Sequence, residues 1–271
     1  MLENRTGTKV HDGEEWSAPG VLRFVIIVTP YDARTFFRRR RGGGFLTLRV
    51  AEECFQLGLR ATAIVFRDMH ISSASVELRA DIVREIQAIR EEFASPAAVR
   101  SCPEVAAFQQ LHRRVGVNPR KEQSSVERLL LLALKRGELP AINSLVDAYN
   151  LVSLRTRCSL GAHDLDAITL PVSLRLLTGR EAFTPLGETM PVVVVPGEYG
   201  YVDAADHLLC RLDVRQADFS KVTEATRNVL LIVEGTAEHA PDVLHRASEE
   251  VIEVVTRYCG GLAEVASPVS R

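Results

Sequence analysis

The residues in this chain whose types suit chemistry are few and scattered. They are His163 with Asp164 and Asp166, Asp147 with Asn150, the Asp203/His207 pair, Ser124 and Ser153, and the arginine run Arg38–Arg41 beside Gly42–Gly44. Spacing limits what each can do. Asp203 and His207 invite a metal, but no HxxxH or HExxH pattern accompanies them and the 7 histidines are dispersed, so no metal site is read. Neither serine stands in a GxSxG elbow and no Ser–His–Asp triad is apparent. Gly42–Gly44 lacks the strand, GxxxxGK[ST] and helix of a phosphate-binding loop. The 5 cysteines (Cys54, Cys102, Cys158, Cys210, Cys259) never form a CxxC pair, so neither a disulfide framework nor a cysteine zinc site is encoded, and no cofactor is called for. By type alone His163 is either an ordinary loop histidine or a site residue. Asp164 and Asp166 suit a turn cap, and Asp147 suits bracing its own helix. Arg38–Arg41 read as a solvated loop or as a phosphate-contacting arm.

The elements that must position these residues follow from hydrophobic periodicity. VLRFVIIV (21–28) and FLTLRV (45–50) suggest strands, AEECFQLG (51–58) a short helix closed by glycine, and LRATAIVF (59–66) another strand. Ile82, Val83, Ile86, Ile89 and Phe93 recur at helical spacing, and Ser101–Glu104 looks like a capping box opening a second helix, so two helices precede the centre of the chain. Ser124–Glu127 is another such box, starting VERLLLLALKR and ending at Gly137. Pro140 then fits the first turn of a helix carrying Asn143, Asp147 and Asn150. Short strands follow at VSLRLL, PVVVV, YVDAADHLLCR and NVLLIVEG, before a last amphipathic helix from Pro241 to Gly260. The expected class is α+β, with helices packed on a mainly antiparallel or mixed β-sheet. Residues 1–44 form an N-terminal extension, 45–262 the domain, and 263–271 a C-terminal tail.

Bulk properties narrow the class further. With 46% hydrophobic and 25% charged residues the chain can bury a core, while no apolar run approaches the roughly 18 residues of a membrane span. The first twenty residues lack the pattern of a secretory signal, so a cytoplasmic protein is expected. The net charge of −2 argues against binding nucleic acid through bulk electrostatics. Any RNA substrate therefore requires positive charge that is local.

The segment from Val117 to Ile168, with its Ser-x-Glu element, its LPAINSLVDAYNLVS helix and its GAHDLD segment, resembles the tRNA-editing domain of the phenylalanyl-tRNA synthetase β subunit. It resembles still more the freestanding homologues of that domain. Downstream, LLTGREAFTPLGE, VPGEYGYVDAADHLLCR, VRQ and VTEATRNVLLIVEG continue the freestanding pattern. The resemblance implies a trans-acting hydrolase of mischarged aminoacyl-tRNA, or alternatively a non-catalytic module that binds tRNA or an amino acid and assists a synthetase. Its partners would be the aminoacylated 3′ end of a tRNA and possibly a synthetase, and no membrane.

By the same resemblance Asn150 and His163 carry the catalytic positions. Tyr149, Glu198, Arg211, Arg215, Gln216 and Glu234 would bind substrate; apart from the resemblance, the charge run Arg38, Arg39, Arg40 and Arg41 is the candidate contact for RNA. Glu198 or Glu234 would hold the substrate ammonium and Arg211 the terminal phosphate. Tyr149 replaces a threonine of the synthetase, and CRLDVRQ stands in place of its glycine-rich pocket segment. An activated ester needs one placed water and a stabilised oxyanion, with no dedicated nucleophile.

Overall fold

The computed structural model describes residues 47–266. The expected strand at 21–28 and the arginines Arg38–Arg41 lie outside the described residues. In chain order the elements are β1 (Leu48–Val50), α1 (Glu52–Gln56), β2 (Leu59–Arg67), α2 (Val76–Glu92), α3 (Pro96–Ser101), α4 (Pro103–Arg114), α5 (Ser125–Arg136), α6 (Ser144–Thr156), β3 (Ser159–Asp164), β4 (Val172–Leu176), β5 (Tyr199–Val202), β6 (Leu208–Arg211), β7 (Arg215–Gln216), β8 (Val229–Thr236), α7 (Val243–Cys259) and β9 (Leu262–Ala266). Two sheets form, in the orders β1-β4-β5-β6-β7 and β3-β8-β2-β9. Among the strand pairs of the described residues only β1–β4 is parallel. This is the α+β arrangement that the pattern of elements calls for.

Burial explains the placement. VLLIVEGT of β8 is buried at every position, so this strand sits inside its sheet, between β3 and β2, with both faces covered. On α2 the buried residues Leu78, Ile82, Ile86 and Ile89 repeat at spacings of three and four, and Ser75 Oγ accepts the Leu78 N–H at 3.2 Å to cap the helix. At α5, Ser124 Oγ accepts the Glu127 N–H and Gly137 closes the helix in the left-handed region (φ 72°). A second, smaller cluster of Leu177, Phe183, Val194, Val202, Leu208 and Ala217 packs apart from the main core.

Several expectations fail for local reasons. Ser101 ends α3 and caps nothing: its hydroxyl donates back to the Ala97 carbonyl at 3.0 Å, while Cys102 precedes Pro103 at the start of α4. Three helices, α2 to α4, therefore stand where two were read. The helix bearing Asn150 begins at Ser144, because the Asn143 side chain accepts from the Val146 N–H at 2.9 Å, and Pro140 stays in the preceding loop. PVVVV is no strand. Val193 is 90% exposed and only Val194 is buried, in the small cluster. Finally, the residues read as the start of a tail belong to β9, which pairs along the edge of β2 from Leu262↔Arg67 to Ala266↔Ala63.

Gly200 lies where β5 meets β6. A β-carbon there would stand 2.7 Å from Leu208 Cδ1 and 2.8 Å from the Cys210 carbonyl oxygen, and the latter cannot yield without parting the strands. Gly200→Ala is expected to lower unfolding free energy by about 1–3 kcal/mol in urea titrations. An unchanged midpoint would contradict this packing.

Candidate functional site

Alternation on β3 sends Ser159, Gly161 and His163 to one side. The pairing of β3 with β8 sets Ser159 opposite Glu234 and Gly161 opposite Ile232. These five residues line a cavity of about 500 Å³. Its other walls come from Ser125, Arg128, Leu129 and Leu132 on α5, Val146, Tyr149 and Asn150 on α6, and Tyr201, Cys210, Arg215 and Gln216 from the five-stranded sheet. Pro140, Ile142, Pro185 and Leu186 contribute from loops, and Asp213 and Val214 from the turn between β6 and β7. The cavity is thus enclosed by both sheets and two helices.

Six of the residues singled out from the sequence meet here: Tyr149, Asn150, His163, Arg215, Gln216 and Glu234. Glu198 and Arg211 do not. They grip each other, with Arg211 Nε donating to Glu198 Oε2 at 2.5 Å and Nη2 to Oε1 at 2.8 Å, and Glu122 takes a third contact at 3.3 Å. In the described fold each is thus held by a protein partner. His163 is on a strand, where the sequence suggested a loop. Asp164, just beyond it, caps the 3₁₀ turn Leu165–Ala167, its carboxylate accepting from the Asp166 N–H.

His163 is 2% exposed, and burial depresses its pKa to about 4, so the ring is neutral at physiological pH. Its Nδ1 lies 2.9 Å from Ser220 Oγ and 3.4 Å from the Gln216 amide nitrogen, which also donates to the Ala162 carbonyl at 2.8 Å. An amide nitrogen only donates, so Nδ1 acts as the acceptor and the ring proton belongs on Nε2. That leaves an N–H donor on a wall of the cavity.

Glu234 is also 2% exposed. Burial, reinforced by the charge of nearby Asp213, pushes its pKa up to about 8 despite a hydrogen bond from the Tyr201 hydroxyl to Oε2. The carboxyl is mostly protonated at neutral pH, and its Oε1 has no partner among the described residues. In the cavity without a ligand it is therefore mostly the uncharged acid. As a neutral acid it offers an O–H donor.

The residues that the sequence did not single out stand around Glu234. Asp213 accepts from the Ser125 N–H at 2.9 Å and pairs with His112 Nε2 at 3.0 Å, while His112 Nδ1 faces the Glu122 carbonyl at 2.9 Å. Burial alone would lower the His112 pKa, but the Asp213 carboxylate and the Glu122 carbonyl outweigh it and hold the pKa above the ordinary histidine value. The turn that carries Asp213 has Leu212 at φ 53°, a strained conformation for a branched residue and the one local signal that this turn is special. Ser125 Oγ and Ser159 Oγ share a hydrogen bond at 2.6 Å. Cys210 lines the cavity as a thiol, since burial pushes its pKa far up. Asp147 braces α6: Oδ1 accepts from the Ile142 N–H at 3.2 Å, and Arg79 Nη2 lies 3.0 Å from Oδ2. Among the described residues no three metal-ligating side chains converge, and no helix is long and apolar enough to cross a membrane.

The family model described as the B3/4 domain matches residues 107–260, a span that includes every residue lining the cavity. No curated protein matches the chain. Among solved structures, the chain is similar to an N-terminal fragment of the phenylalanyl-tRNA synthetase β-subunit from Pyrococcus horikoshii, with 12% identity and a TM-score of 0.44. The match covers 80% of this chain and 50% of the other, so the chain spans about half of that fragment's length.

A carboxyl held protonated in the fold and ionised when unfolded costs stability as pH rises from its unfolded pKa toward about 8. Glu234→Gln, which keeps the shape without the titration, is therefore expected to gain stability relative to the parent between pH 5 and pH 8. Chemical denaturation of both proteins across that range reads the difference. A gap that stays constant or shrinks would rule out the neutral acid.

Proposed function

The chain belongs to the B3/4 domain family, and from that premise we propose that its cavity hydrolyses the ester of mischarged aminoacyl-tRNA, acting in trans in the cytoplasm. The observation that carries this reading is the convergence of Asn150, His163 and Glu234 on one cavity of about 500 Å³, whose lining mixes these polar groups with apolar side chains and which is large enough for an aminoacylated ribose. The resemblance of Val117–Ile168 to the synthetase editing domain supplies the reaction. The substrate is then the 3′ end of a charged tRNA, and a synthetase is the partner that produces it.

In this reading water attacks the acyl carbon, the carbonyl oxygen takes up negative charge, and the bond from the acyl carbon to the ribose oxygen breaks. The ribose oxygen recovers a proton and the free amino acid leaves. Two buried donors, His163 Nε2–H and the Glu234 acid, suit the oxygen on which charge develops. Asn150, whose amide has no partner among the described residues, suits the water or the α-amino group. With its depressed pKa His163 is a weak base, so its part is donation and not proton abstraction.

Incubation with a panel of correctly and wrongly charged tRNAs tests the proposal. Release of amino acid from at least one mischarged tRNA is expected, and His163→Ala should lower kcat by about 10²–10³, the usual effect of losing one oxyanion donor. Binding without release across the panel would favour the non-catalytic module.

Gly161 gives a second test. A β-carbon built there meets nothing within 4 Å and the backbone needs no positive φ, so a larger side chain enters open space. Gly161→Val should keep its thermal midpoint while losing at least tenfold in kcat/KM for any substrate hydrolysed. A variant that retains full activity would place the amino acid elsewhere.

A further inference from the structure

Behind the cavity wall lies a buried pair that the proposed chemistry does not use: His112 on α4 and Asp213 in the turn between β6 and β7. Its protonation follows from geometry. His112 Nε2 lies 3.0 Å from Asp213 Oδ1, and Nδ1 lies 2.9 Å from the Glu122 carbonyl oxygen. A carboxylate and a carbonyl only accept, so both ring nitrogens must donate and the ring is an imidazolium. Its pKa, held above the ordinary histidine value, points the same way. Asp213 Oδ2 accepts the Ser125 N–H at 2.9 Å, where an acid also meets the positive end of α5.

Taking two charges out of water is unfavourable, and an apolar pair of similar volume often serves stability as well or better. Here the pair ties down parts of the cavity. Asp213 and Ser125 both line it, Ser125 Oγ shares a hydrogen bond with Ser159 Oγ, and Ser159 stands opposite Glu234. Leu212, next to Asp213, is held at φ 53°, a conformation that persists only where its surroundings enforce it. The titratable groups that act on His112 are Asp213 and Glu122, whose carboxylate meets Arg211, and the Tyr199 ring lies 6.3 Å away. Those around Glu234 are Asp213, Tyr199 and Tyr201 on β5, Cys210 on β6, Cys54 on α1 and Cys158 before β3. We infer that His112 is a positioning residue for the cavity: its imidazolium fixes the Asp213 carboxylate and, through it, both the start of α5 and the charge that faces Glu234. This rests on the hydrolytic reading, in which Glu234 acts as an acid, and names the pair that tunes that acid.

The test follows protonation by nuclear magnetic resonance of the full chain, labelled with ¹⁵N in histidine and ¹³C in glutamate, with His112→Gln and Glu234→Gln assigning the two signals. In the parent both His112 ring nitrogens should carry protons at about pH 6.5, where an ordinary histidine is half neutral. A neutral His112 ring at that pH overturns the inference, whether or not any variant folds. Asp213→Asn removes a negative charge and should move the Glu234 midpoint down from about 8, whereas His112→Gln removes a positive charge and should move it up, each by about half a pH unit or more. Downward shifts in both variants, which a loosened wall admitting water would give, overturn the inference, and so does no shift in either. His245→Gln, exposed on α7, should leave the midpoint at its parental value, and an equal shift there is equally fatal. On a mischarged tRNA that the parent hydrolyses, His112→Gln should lower kcat about tenfold with KM little changed. The two readings fail separately. Opposite shifts in a chain without deacylase activity refute only the hydrolysis. A working deacylase in which His112→Gln moves neither the Glu234 midpoint nor kcat refutes only the role of His112.

Discussion

Side chains on a β-strand alternate between its two faces, so the register between β3 and β8 decides whether the site exists. With Ser159 opposite Glu234, the hydroxyl, the open backbone at Gly161, the imidazole of His163 and the carboxyl of Glu234 share one face. A slip of one residue on β3 would move Ser159 from opposite Glu234 and turn Ala162 and Asp164, which now lie off the cavity, towards it. β8 is buried along its whole length, which makes such a slip costly, since it would push apolar residues of β3 out of the core.

Electrostatics follow from that geometry. Glu234 reaches the cavity at the price of desolvation, and Asp213 nearby makes ionisation harder still. Asp213 itself is held between the Ser125 amide and His112, a residue 101 positions away in sequence. The result is a graded wall: a carboxylate compensated by its partners, a neutral acid, and a neutral histidine whose Nδ1 is occupied. Such a wall favours a ligand with oxygen acceptors over one with a buried cation.

Much of this could be read from the chain. Apolar spacing set α2 and α7, and the Ser124 cap with Gly137 fixed α5, because these are local signals. Tyr149, Asn150, His163 and Glu234 were all singled out, and they share the cavity. What the chain did not show involves long-range partners. Arg211 and Glu198 looked available until the fold paired them across the β5–β6 hairpin. Asp213 and His112 have no local pattern that joins them. SLGAHD reads as a loop because glycine and aspartate disfavour strands, yet pairing with β8 overrides that preference. PVVVV reads as a strand by composition, but no neighbouring strand is there to receive it.

The small cluster around Phe183 and Val194 gives the cavity two kinds of boundary. Its floor belongs to a sheet joined to the main core, while the lip at Pro185 and Leu186 hangs from six side chains that pack among themselves. Val202 and Leu208 of that cluster lie on β5 and β6, the strands that also carry Tyr201 and Cys210 of the cavity wall, so the lip and the wall share one framework.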